Sequence, residues 1–115
     1  MSIDEIRKKL GLELAAGGGG LHREVLSGYC GDLLSDVMAN CGKGAVWVTI
    51  QGHQNIVAVA VLREMAGIIL ANGRRPDPET VTKAEQEGIP VLCSPLGAYE
   101  LAGRLNALGV GGMEQ

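Results

Sequence analysis

The chain contains no phenylalanine, and its only aromatic side chains are Tyr29, Trp47 and Tyr99. A core must therefore be built from Val, Ile, Leu and Ala. Single-stranded nucleic acid is disfavoured as a partner, because its binding relies on aromatic stacking platforms. The formal charge is −3, and adjacent cations occur only at Arg7-Lys8-Lys9 and Arg74-Arg75. No basic stripe exists for a phosphate backbone, so no nucleic-acid partner is expected. The three cysteines, Cys30, Cys41 and Cys93, form no C-x-x-C pair. That excludes a disulfide framework or structural zinc site and predicts buried or half-buried free thiols.

Other signals are missing as well. Gly17-Gly18-Gly19-Gly20 is not followed by Gly-Lys-Ser/Thr, so it has no phosphate-binding lysine or magnesium ligand and reads as a flexible turn. His22 and His53 are too far apart in sequence to suggest a metal site. No cofactor is implied. No apolar run reaches the ~18 residues of a membrane span. Met1 to Leu10 is polar and amphipathic, without a secretory apolar region. These features predict a cytoplasmic protein with no membrane partner.

What is present is a 46% apolar chain of 115 residues, suited to one domain. Ser2-Ile3-Asp4-Glu5 fits a helix capping box. Ile3, Ile6 and Leu10 share a helical face, Arg7-Lys8-Lys9 offset the helix dipole, and Gly11 ends the helix. A short strand is expected at 13–15 and another at 23–30. Asp32 reads as the N-cap of a helix over 33–40. Ala45 to Ile50 is continuous and β-branched, which marks a strand buried on both faces. A helix over 56–65, apolar almost all round, is expected to be well buried. Ala66 to Leu70 is a second buried strand. Asp77-Pro78-Glu79 opens a helix that Gly88 stops. A strand over 89–93 and a helix over 96–108 complete the pattern, with 109–115 as a flexible tail. This alternation predicts a single α/β domain with a mainly parallel sheet flanked by helices.

In such sheets ligands gather outside the carboxyl ends of the strands. The candidate ligand-binding residues are therefore Asp32, Thr49, Gln51, His53, Asn55, Asn72, Gly73 and Ser94. The competing reading is that these residues are only caps and turn formers, for which the same types are preferred. Arg74-Arg75 offers guanidinium groups that suit phosphate, or else a solvated loop. No catalytic constellation is visible. His53 is the one acid/base candidate, and it would need a carboxylate or thiol from Asp32, Cys30 or Cys93. A histidine capping the next helix is the simpler reading.

Two stretches, Gly31-Asp32-Leu33-Leu34-Ser35-Asp36-Val37-Met38 and Ala45 to Ile56, carry a family resemblance. Ala66 to Gly73 and Ile89 to Ser94 extend it. In this order they resemble the DRTGG-domain family from about Ile3 to Leu108. The family includes domains within phosphotransacetylases and regulatory pyrophosphatases, and is similar to the N-terminal domain of HPr kinase/phosphorylase. The resemblance implies a stand-alone regulatory module, homodimeric, binding a small anionic metabolite or nucleotide. The rivals are a protein-interaction subunit of a kinase or redox complex and, last, a small enzyme using His53. Where the family often has Gly-Asp-Arg after the central strand, this chain has Gly52-His53-Gln54-Asn55. Where it has Thr-Gly-Gly, this chain has Ala71-Asn72-Gly73. These departures imply that His53 and Asn72 define a different specificity, or none.

Overall fold

The computed structural model describes residues 1–112. Its first helix, α1 (Ile3–Leu10), starts as the capping box requires. Ser2 Oγ accepts from Glu5 N at 3.2 Å and Glu5 Oε1 accepts from Ser2 N at 3.1 Å. Ile3 and Ile6 are buried, and Gly11 ends the helix at φ +64°. Strand β1 (Glu13–Ala16) follows, then a 3-10 turn at Gly18–Gly20 and strand β2 (Ser27–Cys30). Next come α2 (Leu34–Asn40), β3 (Ala45–Thr49), α3 (Asn55–Leu62), β4 (Gly67–Leu70), α4 (Pro78–Glu87), β5 (Val91–Cys93) and α5 (Ala98–Ala107).

The strands form one sheet in the order β1-β5-β4-β3-β2. β2 to β5 run parallel, and β1 pairs antiparallel with β5. The α/β architecture and the mainly parallel sheet are as the alternation predicts. Consecutive parallel strands are neighbours, and crossovers of one hand put their helices on one side. Accordingly α2, α3 and α4 cover Trp47, Ile68, Leu70 and Val91. The other face, with Val46, Val48, Ile69 and Leu92, is covered by Ile3 and Ile6 of α1 and by Leu101 and Leu105 of α5.

Several boundaries differ from expectation. The strand expected over 23–30 belongs to the sheet only from Ser27. Residues 23–25 instead pair with the N-terminus, where Ile3 N donates to Arg23 O and Val25 N to Met1 O. Helix α3 ends at Leu62 because Glu64 turns left-handed at φ +52° and feeds buried Met65 toward β4. It buries Ile56, Val57, Val59 and Ala60, but leaves Val61 and Leu62 exposed. Helix α5 starts at Ala98 rather than Leu96. Cys41 and Cys93 are buried, whereas Cys30 is exposed on edge strand β2, contrary to the thiol expectation. Of the tail expected over 109–115, Val110 packs on the α5-side core and Gly111 O accepts from Gly28 N at 2.8 Å. Residues 113–115 lie outside the described residues.

The glycine run is a close-packing device rather than a flexible turn. A Cβ on Gly17 would lie 1.9 Å from Ile89 O, and one on Gly20 would lie 2.1 Å from Gly88 O. Gly17 N also donates to Glu85 Oε1 at 2.9 Å. Gly19, by contrast, faces open space. Gly17→Ala and Gly20→Ala should each lower unfolding free energy by about 2 kcal/mol or more, since backbone has to shift. Gly19→Ala should change it little. Urea denaturation of the three variants checks this, and equal effects at all three positions would contradict the packing role.

Candidate functional site

The four parallel strands deliver their carboxyl ends to one rim, and most of the predicted residues arrive there in two hydrogen-bonded groups. In the first, Asp32 is no helix cap, because Leu33 occupies the N-cap position of α2 without a side-chain bond. Asp32 Oδ1 accepts instead from Thr49 Oγ1 at 2.8 Å and from Ile50 N at 2.9 Å. Gln51 Nε2 donates to Asp32 O at 3.2 Å. The carboxylate thus straps the exit of β2 to the exit of β3, and Thr49 is buried beneath it.

The second group joins β4 to β5. Asn72 at φ +58° and Gly73 at φ +69° make a left-handed turn. Asn72 N donates to Leu96 O at 2.8 Å, Gly73 N to Ser94 O at 2.9 Å. Ser94 Oγ accepts from Leu96 N at 3.1 Å. Between the groups, Gly52 O accepts from Asp77 N at 3.0 Å and from Thr80 Oγ1 at 2.6 Å. The turn after β3 is thereby pinned to the start of α4.

His53 caps the first turn of α3: its Nδ1 accepts from Asn55 N at 3.2 Å. No hydrogen bond joins it to Asp32, Cys30 or Cys93 among the described residues. His53, Asn55 and Asn72 are exposed.

After β4 the chain turns to the α4 face, and after β5 to the α5 face. Adjacent strands whose continuations part in this way open a crevice between them. A cleft of about 290 Å³ lies at this point, lined by Gly73, Ser94, Pro95, Cys93, Arg75 and Glu13 among others. Glu13 reaches it because antiparallel β1 sets Glu13 opposite Cys93. Arg75 Nη1 donates to Glu13 Oε2, and both side chains stay more than half exposed. The hydrogen bond to Glu13 raises the Arg75 pKa further. Burial raises the Cys93 thiol, opposed by the nearby Arg75 charge. Sequence reasoning weighed Arg75 but left it outside the site, and missed Glu13. The Arg74-Arg75 pair was the available signal for the first. Nothing local marks the second, because its place depends on the pairing of β1 with β5.

A smaller cavity of about 150 Å³ lies between β2 and α5, lined by Tyr29, Cys30, Val48, Leu105 and Val110 among others. Desolvation, and then the Asp32 charge, raise the pKa of Cys30. Cys41 is pushed up to about 11 by burial. Tyr29 OH donates to Asp36 Oδ2 at 2.6 Å, and that bond first, then desolvation, pushes its pKa up to about 12. Among the described residues no three His, Cys, Asp or Glu side chains gather where they could hold a metal ion. No helix there is long and apolar enough to cross a membrane.

A sheet of this order, with helices on both faces and a strand-end rim, defines an α/β domain. The DRTGG domain family model matches residues 5–108, and the chain belongs to that family. No curated protein matches the chain. Among solved structures it is similar to the CBS and DRTGG domains of the regulatory region of Clostridium perfringens pyrophosphatase, complexed with the activator diadenosine tetraphosphate. The identity is 18% and the TM-score 0.68, over 89% of this chain and 44% of that one. At this identity the likeness shows the fold, and this chain spans less than half of that structure.

Two outcomes follow. Asp32→Ala leaves Ile50 N and the Thr49 hydroxyl without their acceptor, and should lower unfolding free energy by about 1–2 kcal/mol in urea titrations. Asp32→Asn keeps an acceptor oxygen and should cost clearly less; equal losses would rule out the strap. In a Tyr99→Phe protein Tyr29 is the sole tyrosine. Its ultraviolet ionisation midpoint should lie near pH 12, and a midpoint near 10 would show that the Asp36 bond is absent in solution. The folded-state pKa is raised, so the stabilisation from this bond is complete below about pH 10 and fades as pH climbs toward 12.

Proposed function

We propose that this DRTGG domain is a regulatory module that senses a small anionic metabolite or nucleotide at the strand-end rim, and that it works as a homodimer inside the cell. The observation that carries the reading is the cleft at the divergence of β4 and β5, with the Arg75 guanidinium at its wall. A guanidinium holds phosphate oxygens bidentately and more strongly than a neutral donor does. In the cleft Arg75 is held by Glu13. An entering anion competes with that carboxylate for the same donor.

The candidate residues take graded parts in this reading. Gly73 and Ser94 line the cleft, and Asn72 flanks it with an exposed carboxamide. Gln51, His53 and Asn55 present polar groups from the neighbouring strand end. Asp32 and Thr49 support them from below through their mutual bond. The nucleotide activator of the similar pyrophosphatase regulatory region makes polyphosphates the natural first probes. A second reading, a protein-interaction module without a ligand, draws on exposed Leu26, Leu33 and Leu62, which are 69–70% accessible.

Thermal-shift titrations with pyrophosphate, ATP and diadenosine tetraphosphate test the proposal. A ligand in 100-fold excess over its Kd stabilises the folded state by about 2.7 kcal/mol. One of these anions should give a saturable upward shift that Arg75→Gln weakens at least about tenfold, the loss of one charged donor. Asn72→Ala should weaken it less. A shift unaffected by Arg75→Gln but lost in His53→Ala would move the site to the end of β3. No shift from any anion would favour the interaction module.

A further inference from the structure

Helix α5 buries Leu101 and Leu105 against the sheet and turns its remaining surface to solvent. On that outer surface Tyr99 is 93% accessible, the highest value among the exposed large apolar side chains described. Tyrosine offers a large amphipathic area at little rotamer cost and is enriched where proteins meet. One turn further on lies Gly103. A Cβ built there meets nothing within 4 Å. Glycine weakens a helix interior relative to alanine, and no packing inside the monomer calls for it here. Together with Tyr99, Asn106 and Ala107 it forms an open stretch of the helix surface.

The charges on this surface say what fits it. Arg104 Nε donates to Glu100 Oε1 at 3.1 Å, and both side chains are about half exposed. A helix carrying one acid and one base a turn apart is complementary to itself only when two copies run antiparallel. The acid of each copy then faces the base of the other; in a parallel pair like charges meet. An isologous two-fold contact has this self-complementary form. The other unpartnered helix face, at Ala58, Val61 and Leu62 of α3, carries no charge pattern that selects a partner.

We infer that the outer face of α5 is the docking surface for a second copy of this chain. The two α5 helices cross antiparallel about a two-fold axis near Ala102 and Gly103. Tyr99 of each copy covers Asn106 and Ala107 of the other, and Glu100 of each faces Arg104 of the other. This rests on the homodimer reading above and adds the face and its polarity.

Sedimentation equilibrium of the full chain over a dilution series tests it. The wild-type chain should dimerise. Gly103→Leu should raise the dimer Kd at least about tenfold, as should Tyr99→Ala, the range expected of central contacts. Leucine is the better helix former, so the Gly103→Leu monomer should melt no lower than wild type. Glu100→Arg and Arg104→Glu should each weaken the dimer, and the double exchange E100R/R104E should restore it. A wild-type chain that stays monomeric throughout overturns the homodimer reading and this one together. A wild-type dimer left intact by Gly103→Leu, Tyr99→Ala and the charge variants, and broken by Val61→Glu, overturns only the assignment to α5.

Discussion

Strands β3 and β4 are buried along their whole length on both faces, and the rest of the fold answers that constraint. A parallel strand apolar on both sides has to be covered on both sides. Crossovers of one hand send α2, α3 and α4 to the same face, so the opposite face is left for the two ends of the described fold, α1 and α5. The chain must therefore change sides after β5. That single change of side parts the loops after β4 and β5 and opens the rim where it does. The cleft is a by-product of covering the core.

At the rim, polar side chains are used first to hold the fold. The Asp32 carboxylate binds the exits of two strands together, and the Asn72-Gly73 turn is tied to the exit of β5 by backbone bonds. Such tying leaves little slack in the backbone around the cleft. It also separates two tasks that residue type alone cannot separate. Asp32 and Thr49 are engaged with each other and with the backbone amides of Ile50 and Gln51, while Arg75 holds an exposed partner, Glu13. Pre-organised backbone beside one exposed ion pair is the arrangement on which the sensing proposal rests.

Much of the fold was legible in the sequence, because it was written in local signals. The capping box at Ser2, the Asp77-Pro78 start and Gly88 stop of α4, and the unbroken aliphatic runs of β3 and β4 each act within a few residues. The order of segments resembling the DRTGG family was legible too, and the family is confirmed over residues 5–108. What was missed depends on distant pairing. Asp32 looks like a cap until Thr49 is brought beside it. Gly17 and Gly20 look like slack until the backbone at Gly88 and Ile89 lies against them. Glu13 has no role until β1 reverses direction beside β5. Cys30 looks like any half-buried thiol until β2 is known to be an edge.

The lone indole of the chain has a further use. Trp47 has no accessible surface, yet its Nε1 donates to Gly31 O at 2.8 Å, one residue before Asp32. Gly31 N in turn donates to Val48 O at 3.1 Å. The ring is thus wired from the apolar interior to the rim through one carbonyl. Its ultraviolet emission carries a built-in optical record of that carbonyl. A change at the end of β2 that breaks this bond alters the polarity the indole senses, and no label has to be attached to see it.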